Sequence, residues 1–158
     1  MDAREDTIHP TLEYFAGHFD GEGCIYMRIR PKVQRARLGI TVTAGYWPIL
    51  DAYQRQFGGQ VTKSTISVNM QLRQWTLSSL PDVQAFLFAL LPFLHEKRRQ
   101  AEITLAYLDV RLQYPLRGGN GRGGKNEVSI MLDSLSQSTL RSIHSARPNF
   151  SPALSGAG

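Results

Sequence analysis

The chain has 158 residues, 42% of them hydrophobic and 20% charged, which are the totals of one globular domain with a sizeable core. Eighteen Lys and Arg against thirteen Asp and Glu give a formal net charge of +5 and an isoelectric point near 9.7, a balance that points to a polyanion such as nucleic acid. A single cysteine, Cys24, excludes an internal disulfide and fits a reducing, intracellular compartment. No run of about 18 apolar residues is present to span a membrane, and the first residues lack the apolar stretch of a secretory signal.

Residues 1–10 read as a loose N-terminal arm, followed by a single domain over 11–147. Thr11 is placed to cap a first helix that runs to about Asp20. Phe15 and Phe19 lie four apart on one of its faces. Ala16, Gly17 and Gly21 offer almost no side chain, and the Gly17–Gly21 spacing suits a close helix crossing. Gly21 and Gly23 end the helix. Between them, Asp20 and Glu22 stand at a helix-to-strand corner where a hard cation with oxygen ligands would fit.

Ile25, Met27 and Ile29 then alternate with Tyr26, Arg28, Arg30 and Lys32, which predicts a half-buried strand over Cys24–Gln34 with one basic face. A second strand covers Arg35 to Thr43. Leu38, Ile40 and Val42 face inward, and Arg35, Arg37, Thr41 and Thr43 face outward. The two strands form a hairpin around Gln34. Pro48 opens the next helix, Leu50, Tyr53 and Phe57 line it, and Gly58-Gly59 stops it.

Two more strands are expected near Gln60–Ser67 and Asn69–Ser78. Burial of Trp75 and Leu77 would place Arg73 and Gln71 on the same face, a conflict that a bulge would resolve. Ser79 and Asp82 have capping-box spacing before the apolar stripe of Val83, Phe86, Leu87 and Leu90. Pro92 breaks that helix. A longer one is expected from Phe93 to Tyr114, with Leu94, Ala101, Leu105, Leu108 and Leu112 in one stripe. Arg117–Lys125 is a basic, glycine-rich loop without the Lys-Ser/Thr of a phosphate-binding P-loop. A last helix covers Asn126 to Ser145, and the tail 148–158 reads as disordered.

The nonapeptide Phe15–Gly23, F-A-G-H-F-D-G-E-G, resembles the LAGLIDADG motif of the homing endonuclease family. The order helix, hairpin, helix, hairpin, helix is the αββαββα order of that fold. The implied class is α+β, an antiparallel DNA-binding sheet with extra C-terminal helices. The resemblance covers roughly residues 11–115. It extends to Pro92–Ala101, which is similar to the family's P-F-L-x-x-K-x-x-Q. No second copy of the motif is found, and single-motif members act as homodimers.

The resemblance implies a site-specific endonuclease that makes double-strand breaks in a long pseudo-palindromic DNA by metal-dependent hydrolysis. Such enzymes are usually encoded within introns or inteins and act in a bacterial cytoplasm or an organelle. Glu22, at motif position eight, would bind Mg²⁺ together with the carbonyl of Gly21. Ca²⁺ would support binding with little cleavage. Lys97 would be a second catalytic residue. Phe15, Ala16, Gly17, Asp20 and Gly21 would form the dimer interface, with Asp20 mainly structural.

Arg28, Arg30, Lys32, Gln34, Arg35 and Arg37 would read double-stranded DNA, since arginine pairs bidentately with guanine and both residue types neutralise phosphate. Thr41, Thr62, Ser64, Asn69, Gln71, Arg73 and Gln74 are further DNA-binding candidates. Ala44 stands where several relatives carry a glutamine that orders water. That departure favours the alternative, a non-catalytic nucleic-acid binder on the same fold such as an intron maturase or a regulator.

Overall fold

The computed structural model describes residues 7–30, 35–63, 71–113, 137–139 and 141–142. The elements are α1 (Leu12–Glu22), β1 (Gly23–Arg30), β2 (Arg35–Ala44), α2 (Trp47–Phe57), β3 (Gln60–Lys63), β4 (Arg73–Leu77), α3 (Leu80–Leu90), a 3₁₀ turn at Leu91–Phe93, and α4 (Arg98–Gln113). This is the expected αββαββα order, with a further helix after it. Residues 137–139 and 141–142 are also helical, within the last helix read from the sequence. The basic loop 117–125, the rest of that helix and the tail 148–158 lie outside the described residues.

The four strands form one antiparallel sheet in the order β1-β2-β4-β3. Its inner face carries Ile25, Met27, Leu38, Ile40, Val42, Trp75 and Leu77, all buried. The helices cover that face through an aromatic cluster. Tyr53 stacks on Trp75 with ring centroids 4.8 Å apart, and Phe15 meets Tyr53 edge-on at 4.7 Å. Phe57 and Phe86 pack edge-on at 4.8 Å. Each large apolar side chain buried here contributes about 1.5–3 kcal/mol.

Local chemistry sets the ends of the elements. The Thr11 hydroxyl accepts the Tyr14 N–H at 3.3 Å and caps α1, as its position before the helix leads one to expect. The α2–β3 turn needs its two glycines. Gly58 and Gly59 have φ of 77° and 81°, and a Cβ on Gly59 would run into the Thr76 carbonyl and the Trp75 indole. That tight turn lets the Trp75 indole N–H donate to the Gly58 carbonyl at 2.8 Å. Before α1, the Arg55 guanidinium donates to the Ile8 carbonyl at 2.8 Å, so the described end of the N-terminal arm lies against α2.

Three expectations are corrected. No bulge interrupts the β2–β4 pairing, which runs in register from Ile40 opposite Leu77 to Ala44 opposite Arg73. Arg73 therefore shares the inward parity of Trp75. It is accommodated at the sheet end because its guanidinium lies 3.7 Å from the centroid of the Trp47 ring, and Trp47 is itself fixed by donating to the Gln71 carbonyl at 2.9 Å. The first helix extends to Glu22, with Gly21 inside it and Gly23 as the cap. The fourth helix starts at Arg98 rather than Phe93, because residues 94–97 are held in a non-helical path by Asp20 of α1. Residues 64–70 of the second hairpin lie outside the described residues.

Candidate nucleic-acid interface and metal-binding corner

The corner between α1 and β1 is built around Asp20. Its carboxylate is 8% exposed and accepts two backbone N–H groups, from His95 to Oδ2 at 2.8 Å and from Lys97 to Oδ1 at 2.9 Å. The Lys97 side chain returns the contact, donating its ammonium to the Asp20 carbonyl. Lys97 is 1% exposed, and its ammonium lies 5.8 Å from the centroid of the Phe19 ring. The buried cation thus sits at the negative, C-terminal end of α1 rather than against the unfavourable positive end of α4. The candidate catalytic lysine is brought to the same helix end as Glu22.

Glu22 is the last residue of α1, and both it and Gly21 are exposed. In this last turn the Phe19 carbonyl accepts the Gly23 N–H and the Asp20 carbonyl accepts Lys97. The carbonyls of Gly21 and Glu22 come next, at the helix end where cations are favoured. One carboxylate and main-chain oxygens at a negative helix end form an oxygen-only donor set that fits Mg²⁺. Among the described residues no group of three or more His, Cys, Asp or Glu side chains converges.

One helical turn before Glu22, the half-buried His18 shares its Nδ1 with the Tyr53 hydroxyl at 3.2 Å, and that hydroxyl donates to the Phe15 carbonyl at 3.1 Å. Burial pushes the His18 pKa below its ordinary 6.5, and the nearby Glu22 charge opposes that shift. Burial also raises the Tyr53 phenol well above its ordinary range, so it stays a donor.

The run of small residues on α1 is divided between two sides. Phe15 and Ala16 are 2% and 0% exposed and face the protein's own core. Gly17 and Gly21 face outward beside the exposed Tyr14, and a Cβ at either glycine would meet nothing within 4 Å. Of the five residues expected at a dimer contact, Gly17 and Gly21 therefore form the open surface. Asp20 is engaged within the chain.

The outer face of the sheet is polar and basic. Register places Tyr26 and Arg28 of β1, Arg37, Gly39, Thr41 and Thr43 of β2, Gln74 and Thr76 of β4, and Gln60 and Thr62 of β3 on that side. Gln74 donates to the Thr43 hydroxyl at 3.3 Å. Arg28 and Arg37 are exposed and stand directly opposite each other. The same register sets Arg30 against Arg35 along the backbone. Gln71 is exposed just before β4. Arg73 belongs to the opposite side, on Trp47. Lys32, Gln34, Ser64 and Asn69 lie outside the described residues. Tyr26, Thr43, Gln60 and Thr76 were not among the candidates. Alternation along the first two strands could have added Tyr26 and Thr43, whereas Gln60 and Thr76 needed the register of the second hairpin. Ala44 closes β2 opposite Arg73 and packs against the core.

Solved structures share this architecture. The homing endonuclease I-CvuI, in complex with the I-CreI target in the presence of 2 mM Mg and with its DNA not cleaved, superposes with a TM-score of 0.66 at 22% identity over 84% of this chain and 80% of that one. The LAGLIDADG homing endonuclease I-SmaMI bound to cleaved DNA gives 0.60 at 12% identity, over 90% of this chain but 45% of that one. The archaeal intron-encoded homing endonuclease I-Vdi141I complexed with DNA gives 0.50 at 14% identity, over 79% and 95%. No family model matches the sequence, and no curated protein matches it either. The chain has the LAGLIDADG homing-endonuclease fold.

Proposed function

We propose that the protein is a homodimeric, site-specific DNA endonuclease that hydrolyses both strands of a long pseudo-palindromic duplex with a divalent cation. The observation that carries the reading is the opposed, exposed pair Arg28 and Arg37 on an open polar sheet. Like charges directly opposite on a sheet repel, and a phosphate polyanion relieves that repulsion. Threonines and glutamines around the pair supply the mixed donors and acceptors that base edges require.

At the corner, Glu22 and the Gly21 carbonyl would hold Mg²⁺, and exposed Gly17 and Gly21 would let α1 cross α1 of a second copy. That crossing would bring two half-sets of oxygen donors together. A bound Mg²⁺ would supply Lewis acidity toward phosphate and water. Lys97, fixed by Asp20, would carry positive charge toward the phosphate that Glu22 faces. The I-CvuI structures with Mg and with Ca in the presence of DNA agree with divalent-cation chemistry on this fold.

The test selects tight-binding duplexes from a randomised double-stranded DNA library in Ca²⁺ and then replaces Ca²⁺ by Mg²⁺. The expected result is a pseudo-palindromic site cut on both strands by a protein that sediments as a dimer. Sequence-specific binding without cutting in Mg²⁺ would favour the non-catalytic reading to which Ala44 points.

A further inference from the structure

Among the described residues of the outer face, Tyr26 is a large aromatic on a surface otherwise made mostly of threonine, glutamine and arginine. Tyr26 stands directly opposite Gly39 in the β1–β2 register. A Cβ built on Gly39 would collide with the hydroxyl and ring carbons of Tyr26, so the phenol occupies the space that a side chain at position 39 would take. Arg28, next on the same face of β1, holds its guanidinium 5.8 Å from the centroid of that ring. Tyr26 is half-buried and Arg28 is exposed. The glycine gap, the ring laid into it and the arginine above it form one arrangement, with the arginine outermost.

We infer that Gly39 and Tyr26 form a positioning device for Arg28, so that the base preference read by Arg28 depends on a tyrosine that does not itself read the base. The inference rests on the DNA-binding reading of this face and deepens it. An exposed arginine samples many rotamers, and ordering such a side chain on binding costs free energy. A cation held at a ring face is already restricted before DNA arrives. With the ring in the glycine slot, Tyr26 is half-buried while Arg28 stays exposed, so a base edge can approach the guanidinium. Without the ring, Arg28 keeps its charge and still meets phosphate. It loses the fixed direction on which bidentate pairing with one base depends.

The substitutions separate cleanly. Gly39→Ala fills the slot and forces the Tyr26 ring to swing aside, since the three atoms nearest the added Cβ all belong to that side chain. Tyr26→Phe keeps the ring, and Tyr26→Ala removes it. Each variant, with Arg28→Ala, is passed through selection on the randomised duplex library, and folding is checked by circular dichroism and urea melting. Arg28→Ala is expected to lose preference at one base pair of each half-site by about tenfold. Tyr26→Ala and Gly39→Ala are expected to weaken the same preference severalfold with little change in overall affinity. Tyr26→Phe should retain it, and Tyr26→Ala combined with Arg28→Ala should lose no more there than Arg28→Ala alone.

Loss at a different base pair, an even loss across all sequences, or an unchanged profile in Tyr26→Ala overturns the inference while leaving DNA recognition intact. A wild-type protein that selects no duplex overturns both readings. A profile unaffected by Arg28→Ala overturns the positioning role alone, provided the wild type selects a site.

Discussion

The two faces of the sheet are made from the same four strands and obey opposite rules. Inside, Trp75, Leu77, Ile40 and Val42 are fully buried against an aromatic cluster, and the Trp75 indole N–H is paired with the Gly58 carbonyl. Outside, Arg28, Arg37 and Thr62 are exposed, Thr41, Thr43, Gln74 and Thr76 are half-buried, and two arginines are set against each other. The inner face is arranged for stability. The outer face gives up stability to a like-charge pair, Arg28 opposite Arg37, that the inner face does not carry. The α1–β1 corner combines the two regimes, with Asp20 and Lys97 buried and bonded and Glu22 two residues away in solvent.

The comparison breaks first at its inner side. Trp75→Ala should cost about 3–5 kcal/mol, read from urea midpoints, because it removes the buried ring stacked on Tyr53 and its bond to the Gly58 carbonyl. A loss below about 1 kcal/mol would mean that the inner face is not the core described. Asp20→Ala should cost about 3 kcal/mol in the same assay, since it leaves the His95 and Lys97 N–H groups unpaired at a buried joint. If that variant melts like wild type, the 94–97 segment is held by something else.

The difference between the faces also explains what the sequence revealed. Period-two alternation, glycine pairs and proline breaks are local signals, so the element order and the inward set Leu38, Ile40 and Val42 were legible. The start of α4 was not, because Leu94 continues the apolar stripe of a helix seven residues before Ala101. What straightens the chain there is a carboxylate 75 residues earlier in sequence. Arg73 misled for a similar reason. Its stacking on Trp47 joins residues far apart in sequence, and no alternation pattern shows that an inward arginine has found a ring. At the candidate site, the sequence pointed to Glu22 by its place at a helix-to-strand corner and by the nonapeptide, and to Lys97 by the string Pro92–Ala101. That Asp20 joins the two segments was not visible there, because its partners lie about 75 residues away in sequence.

Smaller effects sharpen the contrast on the outer side. Gln74→Ala should change stability by less than about 0.5 kcal/mol, because its contact with Thr43 is a half-exposed surface bond. It should nevertheless alter the selected DNA site, and a site profile identical to wild type would remove Gln74 from the reading surface.

The smallest effect concerns pH. His18 has its folded pKa lowered by burial, so the neutral ring is the form that the fold accepts. The stability it contributes is complete above its unfolded value of 6.5 and declines as pH falls through that value toward the lowered one. Urea midpoints at about pH 7.5 and about pH 5.5 should therefore differ more in wild type than in His18→Gln. Equal differences would place the acid sensitivity elsewhere.

In the proposed function, Glu22 is the group that turns a DNA-binding sheet into a cutting enzyme. The most direct measurement compares wild type and Glu22→Gln on the same selected duplex, following binding in Ca²⁺ and cleavage in Mg²⁺. Glutamine keeps the shape of the side chain and removes the charge that attracts the cation. Glu22→Gln is expected to bind the duplex at least as tightly as wild type, since a repulsion with phosphate is gone, while its cleavage falls by roughly a hundredfold or more. Equal cleavage by the two proteins would contradict it.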